Sequence, residues 1–305
     1  MVTIRLTAVV CIFCIFFCGC SASYIYDEHT GINDPIRFGA GFIGARGPVE
    51  SDSGNKVLQD VSGIQVIRGN DGLLANAGFN TRAISATAAL TAGSDSMAIS
   101  PLQYYNTHHD DCHFIAFYPA PSEYTGAIAS YTIDGSQDIM AAPAQTARFT
   151  LNNNIAFNFI HLLARIELKV IAADDIYATN YGNLTSALVT VPNQLELSVS
   201  ADGNTILSKK PSSTNLILDF GTLSLDTMDT TTSSGYMVYP DASDIATINL
   251  AFTNRPAQDY AIENLTLEAG KISVIVATVS ASEINFAITL KQWQAGNGTG
   301  QDIDI

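Results

Sequence analysis

The sequence predicts an all-β protein made of two tandem β-sandwich domains. Three observations carry this. Apolar residues recur at every second position in several separate runs, Asp-Gly and Asn-Gly pairs interrupt the chain between runs, and capped amphipathic helices are scarce. Strands with one apolar face hide it by stacking sheet on sheet, about 10 Å apart.

The first element is not a strand. Arg5 is followed by an apolar run from Leu6 to Phe17 that ends in Gly19-Cys20. A basic start and a short apolar stretch mark an export signal, and the stretch falls short of the ~20 residues of a spanning helix. A small residue directly before a cysteine is the mark of a lipoprotein signal. Its peptidase cuts before the cysteine, whose thiol carries the diacylglycerol. Residues 1–19 are therefore expected to be a signal peptide, Cys20 the lipidation site, and the polar residues 20–34 a tether.

From residue 35 the period is two. In 35–45, Ile36, Phe38 and Phe42 share a parity, which gives a strand with one apolar face. Phe157 and Phe159 share one parity, but Leu162, Ala164, Ile166 and Leu168 take the other, so a bulge or short turn is expected between 159 and 163. Further alternating strands follow at 166–170, 195–199, 248–252 and 284–290. Hairpin-type turns are signalled at Asp71-Gly72, Asp134-Gly135, Asp202-Gly203 and Asn297-Gly298. Thr190-Val191-Pro192-Asn193 is the expected boundary, giving an N-terminal domain of 35–191 and a C-terminal domain of 192–305. The Thr-, Ser- and Asp-rich stretch 222–234 reads as an exposed loop.

Composition sets limits. Removal of residues 1–19 leaves 286 residues, enough for two domains with their own cores. The net charge of −15 argues against nucleic-acid binding, which needs a basic surface, and suits a soluble, non-sticky exterior. Cys11, Cys14 and Cys18 leave with the signal and Cys20 is acylated. Cys112 alone remains, so neither an intramolecular disulfide nor a thiolate zinc cluster is available.

Few residues invite chemistry. His108-His109-Asp110-Asp111-Cys112-His113 holds metal-ligand types, but adjacent strand residues face opposite ways and no second ligand cluster lies at metal spacing. It reads as a solvated loop entering the strand Phe114–Tyr118. Cys112 lacks a marked orienting group or oxyanion hole and reads as a small buried or semi-exposed side chain. His161, inside an apolar stretch, reads as a hydrogen-bonded core histidine, and Trp293 as a core anchor closing the last strand. There is no phosphate loop, nucleophile elbow or paired-carboxylate signature. No catalytic residue, metal ligand or cofactor is therefore assigned, and the chain is read as a non-enzyme.

An ordered set of short motifs resembles the fimbrillin-like family. Phe157-Asn158-Phe159-Ile160-His161-Leu162-Leu163-Ala164-Arg165-Ile166 is similar to a Phe-x-His-x-x-Ala-Arg-Ile stretch of that family. Pro35-Ile36-Arg37-Phe38 followed by Arg46, Phe117-Tyr118-Pro119, Gly235–Pro240, Ala269-Gly270-Lys271 and Trp293–Gly296 resemble its other motifs in the family's order. The resemblance implies two β-sandwiches of transthyretin-like topology and lipoprotein export to the outer membrane. It implies a role in cell-surface fimbriae as stalk, tip or anchor.

It also implies trimming by an Arg-specific protease, which opens a groove for a strand from a neighbouring subunit. Arg46 is the expected cleavage site and Arg82 its rival. Ile284, Phe286, Ile288 and Leu290, or the terminal Ile303 and Ile305, are the candidate donor side chains. The expected partners are other copies or sister fimbrial subunits, with the outer membrane reached through the lipid. The alternative is a non-polymerising surface lipoprotein or adhesin that binds a glycan or host ligand through loops such as 103–113 and 222–234. Asp95-Ser96-Met97, Asp226-Thr227-Met228 and Asp229-Thr230-Thr231 resemble a short O-glycosylation signal of exported proteins in some Gram-negative anaerobes.

Overall fold

The structure, a computed structural model, describes residues 35–42, 56–69, 79, 84–105, 110–149, 154–201, 203–211, 213–227, 232–281 and 283–292. The expected signal and tether, Cys20, Arg46, Arg82, His108, His109, Trp293, Ile303, Ile305 and the turns at 71–72 and 297–298 lie outside the described residues.

The first nine strands are β1 (Phe38–Phe42), β2 (Val61–Arg68), β3 (Ile84–Leu90), β4 (Met97–Ser100), β5 (Cys112–Tyr118), β6 (Glu123–Thr125), β7 (Ile128–Thr132), β8 (Met140–Ala147) and β9 (Ile155–His161). Seven of them form one sheet in the order β1-β9-β8-β5-β2-β3-β4. This sheet curls until its ends meet. Gly39 bridges to Ser96 and Pro35 to Tyr104, so β1 touches the β4 side as well as β9. The ring encloses a core drawn from its own strands: Phe38, Phe42, Ile64, Val66, Phe114, Met140, Phe157 and Phe159 are all buried. The alternate residues Ile67, Ile115, Phe117 and Ala141 point outward into a second core. β5 is thus buried on both faces, as its continuous apolar run requires.

The chain then leaves for the second unit through β10 (Ala164–Ala172), a helix α1 (Asp175–Tyr181) and β11 (Leu184–Pro192). The turn at 162–163 is where the parity of the apolar residues changes, because the inward side reverses as the chain passes from one core to the other. Asp174 caps α1 by accepting from the Tyr177 amide. The chain returns with β12 (Gln194–Val199) and β13 (Thr205–Lys209), which join β7 and β6 in a four-stranded sheet, β13-β12-β7-β6. Leu195, Leu197 and Val199 from that sheet fill the second core against the outside of the ring.

Finally β14 (Asn215–Asp219), β15 (Tyr236–Val238), β16 (Thr247–Phe252), β17 (Arg255–Ala261), β18 (Lys271–Val279) and β19 (Ile284–Gln292) complete the second unit. Its two sheets, β15-β10-β18-β19 and β14-β11-β16-β17, face each other over Ile166, Leu168, Leu184, Val189, Ile248, Leu250, Ile275 and Ala277. The all-β sandwich class expected from the alternation is what the chain adopts.

The division expected at 191/192 is not where the sheets divide. β10 and β11 lie in the second unit and β12 and β13 in the first, so the chain crosses at 162–163, at Asn193 and at 210–214. Alternation runs on through Val191 and Leu195 and says nothing about which sheet a strand joins. β11 pairs with β14 and β12 with β13, both antiparallel, so one ribbon spans both units. The described residues of 222–234 are not a free loop either. Leu223 and Leu225 are buried in the core of the second unit, and Asp226 and Thr232 bridge to Ile171 and Lys169 of β10.

Candidate assembly site at the β1 seam

β1 is short, yet it is the strand whose inward side chains close the ring. Ile36, Phe38, Ala40 and Phe42 are 3%, 4%, 6% and 0% exposed. Phe38 meets the Phe114 ring edge-on at 5.0 Å and stacks on Phe157 at 6.1 Å. Phe42 stacks on Phe159 at 4.8 Å and meets Tyr118 edge-on at 6.3 Å. Burial of a Phe or Ile contributes about 1.5–3 kcal/mol, so the three large side chains together are comparable with the 5–15 kcal/mol stability of a typical protein. A ring that lost β1 and gained nothing would not hold.

The two long sides of β1 are bonded unequally. Along β9 it runs parallel, from Phe38 opposite Ile155 to Phe42 opposite Phe159, and the Ile155 amide donates to the Arg37 carbonyl at 2.9 Å. On the other side the Ile36 amide donates to the Gln103 carbonyl at 2.8 Å and the Ala40 amide to the Asp95 carbonyl at 2.9 Å. A Cβ added to Gly39 would lie 2.8 Å from that same Asp95 oxygen. The outer face of the seam opens to a cleft of about 460 Å³, lined by Arg37, Gly41, Ser96, Asn154 and Asn158 among others. Outward, then, β1 faces a cleft rather than a packed layer, and it is held by what lies inside.

Among the described residues, the remaining sequence candidates do not gather into a reaction centre. Cys112 is fully buried at the start of β5, where Arg68 donates to its sulfur at 3.0 Å and also to the Tyr104 carbonyl at 2.8 Å. His113 instead shares a 2.9 Å hydrogen bond with the Thr146 hydroxyl. His161, the last residue of β9, is hydrogen-bonded through Nδ1 to the Asp138 carboxylate just before β8. Burial pushes the Asp138 carboxyl up, while the hydrogen bond and charge of His161 act the other way. With side chains 2% and 0% exposed the pair is sealed from any substrate.

The candidate donor residues Ile284, Phe286, Ile288 and Leu290 lie in β19, an edge strand that pairs with β18 from Val279–Ile284 to Lys271–Gln292. Sequence reasoning singled out the strand at 35–45 but missed its parallel partner β9 and the pinch at Gly39. The shared signal was visible: alternate phenylalanines at 38 and 42, and at 157 and 159.

The sequence model of a family described as fimbrillin-like matches residues 59–293, a stretch that begins after β1. A candidate cell adhesion protein of Bacteroides uniformis shares the fold at a TM-score of 0.57 and 15% identity, with 85% of this chain and 99% of that one covered. One of Bacteroides ovatus does so at 0.56 and 14% identity, covering 87% and 99%. A fimbrial protein of Bacteroides vulgatus does so at 0.53 and 15%, covering 85% and 99%. No curated protein sequence matches the chain.

Proposed function

The chain belongs to the fimbrillin-like family, and from that premise we propose that it is a subunit of cell-surface fimbriae that assembles by exchanging β1 for a strand of a neighbouring subunit. The observation that carries the reading is the seam itself: Ile36 and the five-residue β1 fill four inward pockets of a ring that is otherwise complete. Removing it leaves unpaired backbone and empty apolar pockets, and an incoming strand satisfies both through main-chain hydrogen bonds and alternate side chains. The role is structural, without catalysis.

In this reading the precursor is exported, acylated at Cys20 and held at the outer membrane, and an Arg-specific protease cuts after Arg46. Lipid chains on Cys20 anchor firmly because several act together. The fold favours Arg46 over Arg82. A cut after Arg46 releases β1 alone, whereas a cut after Arg82 also takes β2, which sits between β5 and β3 and supplies Ile64, Val66 and Ile67 to two cores. Donor segments of this kind include 284–290 and the terminal Ile303 and Ile305.

The test is the N-terminal residue of protein extracted from the cell surface, with Arg46→Ala beside the wild type. Expected are a terminus at Gly47, fibres in the wild type, and an uncut, folded, unassembled Arg46→Ala protein. Normal fibres from subunits that keep an acylated Cys20 terminus would defeat strand exchange here and leave the non-polymerising surface lipoprotein.

A further inference from the structure

We infer that the groove beneath β1 accepts only a strand with glycine at the Gly39 position, and therefore that, once β1 is cut away, its donor comes from a different subunit rather than from the β19 or C-terminal segment of a second copy of this chain. The inference rests on the strand-exchange reading and adds the chemistry of the partner.

The argument starts from one carbonyl. The Asp95 oxygen accepts the Ala40 amide at 2.9 Å and lies 2.8 Å from where a Gly39 Cβ would sit. The same atom that bonds the strand in place thus excludes any side chain one residue earlier. It belongs to the backbone, so it cannot swing aside as the end of a flexible side chain would. The adjacent pocket is small: Ala40 fills it and is 6% exposed. The flanking pockets are large and aromatic, where Phe38 meets Phe114 and Phe157, and Phe42 meets Phe159 and Tyr118. A donor entering in β1's place and direction must read large apolar, any, aromatic, glycine, small, any, aromatic.

Neither candidate donor of this chain meets that pattern. Ile284-Asn285-Phe286 matches Ile36-Arg37-Phe38, but it then places Ala287 against the Asp95 carbonyl and Ile288 in the alanine-sized pocket. In the C-terminal stretch, Gly300 at the pinch brings Thr299 to the Phe38 pocket and Gln301 to the Ala40 pocket. Gly298 at the pinch brings Asn297 to the Phe38 pocket, and Gly296 brings Asn297 to the Ala40 pocket. Each register buries a polar group without a partner, which is costly. Ile303 and Ile305 in the Phe38 and Ala40 pockets put Asp304 at the pinch, and in the Ala40 and Phe42 pockets they put Asp302 there.

The test uses the full-length folded chain with a protease site built between residues 47 and 55, cut after folding so that β1 stays docked without a covalent link. Labelled peptides are then offered to displace it: the sequence of residues 35–45, the same peptide with Gly39→Ala, Gly39→Val or Arg37→Val, and residues 283–292. Overpacking a filled site weakens it by a factor of roughly 5 to 150. The 35–45 peptide and its Arg37→Val form, altered only at an exposed position, should exchange alike. Gly39→Ala should bind about tenfold more weakly, and Gly39→Val and 283–292 about a hundredfold more weakly. Equal binding of Gly39→Val and the parent peptide, or entry of 283–292 as readily as 35–45, overturns the inference while leaving strand exchange standing. If no peptide enters, not even β1's own sequence, strand exchange fails and the inference falls with it.

Discussion

Two strands near opposite ends of the described chain open with the same Ile-x-Phe spacing, Ile36-Arg37-Phe38 leading into β1 and Ile284-Asn285-Phe286 in β19. β1 is five residues long and every inward side chain is 6% exposed or less. β19 is nine residues long and paired with β18 along its whole length, but Phe286 and Ile288 are only partly buried and Leu290 is 36% exposed. One strand is held by pockets, the other by a backbone ladder. A vacated pocket can be refilled by similar side chains. A ladder at a sheet edge leaves no enclosed void. On the proposed strand exchange, the difference favours the closed ring over the open sandwich as its place.

The sharpest way to break that comparison is to cut the same ring from each strand. Phe42→Ala empties a fully buried site stacked on Phe159 and should destabilise the protein by about 3–5 kcal/mol. Phe286→Ala removes a partly buried ring 6.4 Å from Tyr260 and should cost about 1 kcal/mol, since much of its surface already meets water. Urea denaturation of both variants decides it. Equal losses would mean that β1 is no more dependent on its pockets than β19 is.

A second prediction separates the units by pH. Burial pushes the Tyr124 hydroxyl of β6 up to about 12 from its ordinary 10.0, and burial raises Tyr131 of the same sheet as well. A pKa raised in the folded state means a contribution that is complete below pH 10.0 and is lost as pH rises through the folded value. The outer layer of the ring should therefore weaken between about pH 10 and 12, by on the order of 1 kcal/mol from Tyr124 after allowance for its partial exposure. Tyr124→Phe should remove that part of the alkaline loss, measured as the urea midpoint at pH 8, 10 and 11.5. An unchanged slope in the variant would show that Tyr124 is not its source.

Much of this contrast was legible in the sequence, and the illegible part has a definite cause. Alternation marked the strands around 38, 157, 166, 195, 250 and 286 because each has one face against a core. The parity change between Phe159 and Leu162 foretold the first crossing between units. Alternation is silent about partners. Leu195 and Val191 look alike in sequence, yet they lie in different cores. Asp134-Gly135 and Asp202-Gly203 give the same turn signal, but only the second joins neighbouring strands, β12 to β13, while the first passes from β7 to β8 in another sheet. The pinch at Gly39 was invisible because it depends on a carbonyl more than fifty residues away, at Asp95.

The smallest effect tests whether the units behave as one body or two. Lys209 at the end of β13, in the first unit, pairs with Asp241 at 3.1 Å and Asp244 at 2.7 Å, the N-cap and the last residue of a short 3-10 turn in the second. Hydrogen bonds donated to Asp244 and Asp241 raise the Lys209 ammonium, and hydrogen bonds from Ser243 and then Lys209 hold the Asp241 carboxyl down. The signs define a plateau. The lowered carboxyl contributes above its ordinary 3.8 and loses that contribution as pH falls through its folded value. The raised ammonium contributes below its ordinary 10.5 and loses that as pH rises through its own. Between those limits the cluster is constant, but it is exposed, so Lys209→Ala should cost only about 0.5 kcal/mol and less in high salt. By contrast the junction also buries Leu163, Met237 and Leu195 in one cluster, and the ribbon of β11–β14 crosses it twice. Lys209→Ala should therefore leave a single unfolding transition. A split into two transitions in 1 M NaCl would mean that the ion cluster, and not the shared core and ribbon, couples the ring to the open sandwich.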